Sequence, residues 1–120
     1  MDHLALAVSD QACSRRFYET YLDFVSEPEP RSDGVLMLHA AAGFALALGE
    51  TTDPISVPEF LHFGLGLSSA SEVRAFRDRL IVDDVEIVRQ RDEPDYVSVK
   101  FRDPDGYVVE VSWEPEEKPE

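Results

Sequence analysis

His3-Leu4-Ala5-Leu6-Ala7-Val8-Ser9 and His62-Phe63-Gly64-Leu65-Gly66-Leu67-Ser68 are one heptapeptide pattern written twice, at an offset of 59 residues. The same offset carries Phe17 onto Phe76, inside the helical stretch that follows each copy. At an offset of 63, Leu38 and Gly43-Phe44-Ala45-Leu46-Ala47-Leu48 fall on Phe101 and Gly106-Tyr107-Val108-Val109-Glu110-Val111. The step from 59 to 63 implies four extra residues in the second copy, between its helix and its hairpin. Self-similarity at a fixed spacing over most of a chain is the mark of a duplicated supersecondary unit.

Each copy reads alike. A short apolar strand (residues 3–8, then 62–67) meets a capping signal, Ser9-Asp10 or Ser68 to Ser71. A helix follows, with Cys13, Phe17 and Tyr21 on one face in the first copy and Val73, Phe76 and Leu80 in the second. Three further strands are expected near 25–31, 35–40 and 44–50, and again near 86–91, 96–102 and 107–114. Asp103-Pro104-Asp105-Gly106 is a hairpin turn by its chemistry, since proline sets φ and glycine accepts a positive one. The chain therefore reads as one domain, 1–120, of topology βαβββ twice. Module one spans about 1–50, a Pro-containing linker 51–59, module two about 60–114, and an acidic tail 115–120.

Composition bounds the function. The 120 residues carry 11 Lys+Arg against 25 Asp+Glu, a net charge of −14. That charge argues against nucleic acid or an anionic membrane surface as partner, because both demand a positive footprint. The single cysteine, Cys13, rules out an intrachain disulfide and a cysteine zinc cluster. The apolar runs are too short for a spanning helix and no basic leader opens the chain, so a soluble cytoplasmic protein is expected.

Strand alternation separates two faces. Leu4, Leu6 and Val8 oppose His3, Ala5 and Ala7, and Phe63, Leu65 and Leu67 oppose His62, Gly64 and Gly66. Likewise Leu46 and Leu48 oppose Ala45, Ala47 and Gly49, and Val109, Val111 and Trp113 oppose Val108, Glu110 and Ser112. The bulky faces belong under the helices. The others place a histidine beside very small residues, which leaves volume for a ligand.

A doubled βαβββ unit with a histidine opening each copy, closed by Asp103-Pro-Asp-Gly-Tyr-Val-Val-Glu-Val111, resembles the vicinal oxygen chelate superfamily. Its members include glyoxalase I, extradiol dioxygenases, fosfomycin-resistance thiol transferases and bleomycin-resistance binding proteins. The resemblance spans residue 1 to about 114 and implies an α+β fold, two βαβββ modules forming a curled, cup-shaped mixed sheet. It also implies that His3, His62 and Glu110 are metal ligands. Two imidazoles and a carboxylate leave coordination positions open and suit a divalent Fe, Mn, Zn or Ni ion. The competing reading makes the histidines strand-edge residues and Glu110 one of 25 acids. Two of only three histidines at equivalent repeat positions, with an acid on an otherwise apolar strand, favour the metal.

Further positions rank the members. Ala47 stands where glyoxalase I-like proteins carry a second carboxylate, and Glu50 falls on the opposite face, which argues against isomerising a hemithioacetal. Ala5, Gln90 and Pro94 replace the polar residues of the thiol transferases, with only Ser98 kept. The resemblance thus implies a divalent-metal-dependent enzyme acting on a small oxygenated substrate that chelates the ion, dioxygenase-like or lyase/isomerase-like. His39 and Tyr96 are the catalytic acid/base candidates, each with a solvated strand-end alternative. Lys100 and Ser98, inward by alternation, are candidates for holding an anionic or polar substrate group, and Met37 for a pocket wall. The alternative is a metal-free bleomycin-resistance-type drug-binding protein, whose acidic surface suits a cationic drug. A homodimer is expected in either case.

Overall fold

The computed structural model describes residues 2–53, 55–58 and 60–116. Ten elements follow one another: β1 (His3–Val8), α1 (Gln11–Leu22), β2 (Val25–Ser26), β3 (Leu36–His39), β4 (Ala45–Glu50), β5 (His62–Gly66), α2 (Ala70–Val82), β6 (Ile87–Glu93), β7 (Tyr96–Arg102) and β8 (Val108–Trp113). This is βαβββ twice. The chain divides into two compact units, Met1–Ser56 and Val57–Glu120. Pro54 and Glu59 of the linker, and residues 117–120 of the acidic tail, lie outside the described residues.

Each unit builds its own four-stranded mixed sheet, in the orders β1-β4-β3-β2 and β5-β8-β7-β6. The first strand runs parallel to the last, and the remaining pairs are antiparallel. The register carries both sequence offsets. Ala5 pairs with Ala47 as Gly64 pairs with Glu110, and Met37 pairs with Ala47 as Lys100 pairs with Glu110.

The leucine- and valine-bearing faces pack as alternation requires. Val8, Leu38, Leu46 and Leu48 in the first unit, and Val99, Phe101, Val109 and Val111 in the second, are fully buried. Burying such side chains contributes about 1.5–3 kcal/mol each, the main term holding each unit together. Ala45 and Val108 are buried as well, although they stand on the opposite face.

Helix α1 is capped by Asp10, whose carboxylate accepts the Cys13 N–H, and α2 by Ser69, whose hydroxyl accepts the Glu72 N–H. The face α1 buries is not Cys13, Phe17 and Tyr21, which are only partly covered, but Ser14 and Tyr18. Ser14 and Tyr18 also lie four apart, and Tyr18 stands edge-on to Phe17 and to Phe24, with centroids 5.5 and 5.9 Å away. The aromatic cluster rotates the helix by one position, and among the described residues every buried side-chain polar atom has a partner. Helix α2 buries Val73 and Leu80 of its expected face, and Phe76 is only partly covered.

A second departure lies at β2, which pairs only over Val25–Ser26 although a strand to residue 31 is expected. Pro28 and Pro30 have no N–H to give a ladder, so the chain leaves the sheet. It closes a loop instead, in which the Arg31 N–H donates to the Val35 carbonyl. Its counterpart β6 carries no such interruption and runs seven residues. Among the described residues no helix is long and apolar enough to cross a membrane.

Candidate functional site

In the first unit, the strand pairings set His3, Ala45 and His39 in one row and Ala5, Ala47 and Met37 in the next. These six side chains line an open recess of about 550 Å³, so alanines form its floor and the histidines and methionine its sides. The Nδ1 of His3 is 2.6 Å from Asp2 Oδ1, and this hydrogen bond holds the Asp2 carboxyl below its usual range. The Nε2 of His39 is 2.9 Å from Glu27 Oε2. Arg31 grips the same carboxylate with its Nε and Nη2, at 3.0 and 2.7 Å. Arg31 first and His39 second hold the Glu27 carboxyl down at about 2. It is ionised at neutral pH and only accepts, so His39 donates from Nε2. Glu50 is turned away from the recess and accepts the Gln11 N–H at the start of α1, at 3.1 Å.

The second unit concentrates its polar groups on the corresponding face. Gly64, Glu110 and Lys100 share one row, and Gly66, Ser112 and Ser98 the next. Gly64 lets β5 and β8 approach: a Cβ there would sit 3.1 Å from the Glu110 carbonyl oxygen and 3.7 Å from Oε1. The His62 Nδ1 is 2.7 Å from the Phe60 carbonyl oxygen. A carbonyl only accepts, so Nδ1 carries a proton and Nε2 is the ring nitrogen left to face Glu110. That Nε2 lies 3.8 Å from Glu110 Oε1, with both side chains largely covered. The other carboxylate oxygen, Oε2, receives the Tyr96 hydroxyl at 2.8 Å. Burial, and then the bond to Glu110, push the Tyr96 phenol above its ordinary value, while the Ser98 and Ser112 hydroxyls pull it back.

The second unit thus brings together His62, Glu110, Tyr96 and Ser98 from the sequence-derived set, and the first unit brings together His3, His39 and Met37. Lys100 turns toward Phe60, with Nζ 5.9 Å from the ring centroid. Within either unit, no three His, Cys, Asp or Glu side chains among the described residues gather as a metal cluster. Ser112, beside the Tyr96 hydroxyl, escaped the sequence reading although it stands two residues beyond Glu110 on the same face. Phe60 escaped it because it stands at the edge of the second module, just past the linker and before the strand that opens at His62.

A profile of the Glyoxalase/Bleomycin resistance protein/Dioxygenase superfamily matches residues 1–111. Solved structures show the same fold over nearly the whole chain. A possible glyoxalase from Bacillus cereus superposes with a TM-score of 0.79 at 23% identity, covering 92% of this chain and 96% of its own. The genomically encoded fosfomycin resistance protein FosX from Listeria monocytogenes gives 0.79 at 19% identity, covering 96% and 93%. Lactoylglutathione lyase from Agrobacterium tumefaciens gives 0.72 at 20% identity, covering 94% and 92%. Comparison with the curated proteins returns no match. With its doubled βαβββ units and a family match over all but its last nine residues, the chain belongs to the Glyoxalase/Bleomycin resistance protein/Dioxygenase superfamily.

Proposed function

We propose that the protein is a divalent-metal-dependent enzyme acting on a small oxygenated molecule that chelates the ion through neighbouring oxygens. The reaction is dioxygenase-like or lyase/isomerase-like. The observation that carries this reading is the pairing of His62 Nε2 with Glu110 Oε1 across 3.8 Å. Both atoms are lone-pair donors, and no proton lies between them when the imidazole is neutral. First-row divalent ions take imidazole nitrogen and carboxylate oxygen as ligands, so these two side chains would hold such an ion. The outer atoms of both groups are already engaged, by the Phe60 carbonyl and the Tyr96 hydroxyl, which hold the two side chains in place as hydrogen-bond partners hold metal-binding groups. His3, the counterpart of His62, spends the same nitrogen on Asp2 and is the third donor of this reading.

A bound ion supplies Lewis acidity toward the substrate oxygens. The chain's own groups do the rest. Tyr96 keeps its proton at neutral pH, fixes the Glu110 carboxylate and is the proton donor nearest that carboxylate. His39 has Nε2 committed to Glu27, which leaves Nδ1 as its nitrogen for proton transfer. Ser98 and Lys100 orient a polar or anionic substrate group, and Met37 walls the first unit's recess. Ala47, at the position equivalent to Glu110, places no second carboxylate there, which disfavours hemithioacetal isomerisation. Exposed Leu61, Ile81 and Val82 give a second copy apolar surface to cover, which fits a homodimer, and the free Cys13 fits a reducing cytoplasm.

Elemental analysis of untagged protein after anaerobic loading with iron, manganese, zinc or nickel tests the reading. About one ion per chain is expected, lost in His62→Ala and Glu110→Ala while both remain folded. A second reading, sequestration of a cationic drug without metal, draws on the first unit's recess of about 550 Å³, with Asp2 and Asp33 on its lining. Absence of stoichiometric metal under every loading condition, with tight binding of a cationic glycopeptide, would select it.

A further inference from the structure

Arg89 and Lys100 are directly opposed across the β6–β7 ladder. Like charges in that position repel, and a cross-strand pair of this kind weakens the sheet. Their neighbours are neutralised: Arg91 pairs with Glu93 at 3.0 Å, and Arg102 with Glu86 at 3.0 Å. Among the described residues neither Arg89 nor Lys100 closes an ion pair; Lys100 also faces Glu110 across the β7–β8 ladder, where the Tyr96 hydroxyl holds that carboxylate. The two cations line a recess of about 240 Å³ together with Val88 and Phe60. Phe60 is 84% exposed, its ring standing edge-on to His62 and 5.9 Å from the Lys100 ammonium. An exposed aromatic ring beside two cations that close no ion pair offers both contacts that an anion with an apolar body needs.

We propose that this recess binds a small organic acid, its carboxylate or phosphate ester held between Arg89 and Lys100 and its apolar body lying on Phe60 and Val88. The anion removes the Arg89–Lys100 repulsion. The guanidinium supplies a planar fork of donors and the ammonium a point charge on the other side of the same oxygens. Drug-sized ligands occupy about 300–1,000 Å³, so a recess of about 240 Å³ takes an anionic head and one ring. The inference rests on the reading of the protein as a small-molecule enzyme in taking Lys100 to face the substrate, and it needs no metal. It names the substrate class as an anion with an attached apolar group.

Calorimetric titration of chelator-treated, untagged protein with benzoate, phenyl phosphate, benzamide and acetate tests it. Benzoate or phenyl phosphate is expected to fill one site per chain, and the tighter of the two identifies the head group. Benzamide, which lacks the charge, and acetate, which lacks the ring, bind at least about tenfold more weakly. Arg89→Gln and Lys100→Gln each cost about tenfold, whereas Arg16→Gln on α1 changes nothing. Phe60→Ala removes the preference for benzoate over acetate. Absence of saturable binding, equal binding of benzamide, or affinities untouched by both charge variants would overturn the proposal. Repeating the titration on His62→Ala and on metal-loaded protein separates the two ideas. Anion binding that survives without metal stands even if the metal reading fails. Binding that appears only with metal and ignores Arg89 puts the anion on the ion and refutes the subsite.

Discussion

Two residues carry opposite lessons about local chemistry. Gly64 has the Glu110 carbonyl 3.1 Å from where its Cβ would be, whereas Gly66, two residues on, has nothing within 4 Å. Gly64→Ala therefore forces β5 away from β8 and should cost about 1–3 kcal/mol in urea denaturation. Gly66→Ala should cost little. A comparable loss in both would mean that strand propensity, and not the close approach, sets the requirement. Glu27 illustrates electrostatics. Its carboxyl lies at about 2 when folded against an ordinary 4.5. A depressed folded value means that its contribution to stability is present above pH 4.5 and is lost as the pH falls from 4.5 toward 2. Glu27→Gln should flatten that part of the acid unfolding curve, and added salt should shrink the difference because the group is partly open to water. An unchanged acid limb would show that the Arg31 and His39 contacts do not persist in solution.

At the scale of elements, the hairpins do the positioning. Asp103 is nearly buried in the β7–β8 turn, and its Oδ1 accepts the N–H groups of Asp105 and Tyr107, both at 2.9 Å. Gly106 holds φ at +89° beside it. This turn sets the register that faces Lys100 to Glu110. Asp103→Ala strands two N–H groups and should cost about 1–3 kcal/mol by chemical denaturation, with Asp103→Asn recovering part of it. The turn was legible as Asp-Pro-Asp-Gly, because each of its residues has a local reason to be there. The buried face of α1 was not. Two candidate stripes lie one residue apart, and only packing against Phe17 and Phe24 selects Ser14 and Tyr18 over Cys13, Phe17 and Tyr21. The shortening of β2 was in principle legible from Pro28 and Pro30, whose missing N–H groups outweigh the strand pattern around them.

For the molecule as a whole, a net charge of −14 on 120 residues means self-repulsion that folding must overcome. Raising ionic strength from about 0.01 M to about 0.15 M shortens the screening length from about 30 Å to about 8 Å. The melting temperature should therefore rise over that range. A fall would mean that ion pairs such as Arg74–Asp92, at 2.9 Å between α2 and β6, outweigh the repulsion. What the sequence by itself determined was the duplicated βαβββ order, the faces of the strands and the pairing of a histidine with two small residues in each copy. These follow from periods of 2 and 3.6 residues and from turn chemistry, all local along the chain. Only the tertiary structure decided which atoms of His62 and Glu110 remain free, that Tyr96 occupies the far carboxylate oxygen, and that Arg89 and Lys100 meet beside Phe60. Those facts depend on register, on a bulge between Ile87 and Arg89, and on side-chain rotamers, which join residues far apart in the chain and leave no periodic trace in it.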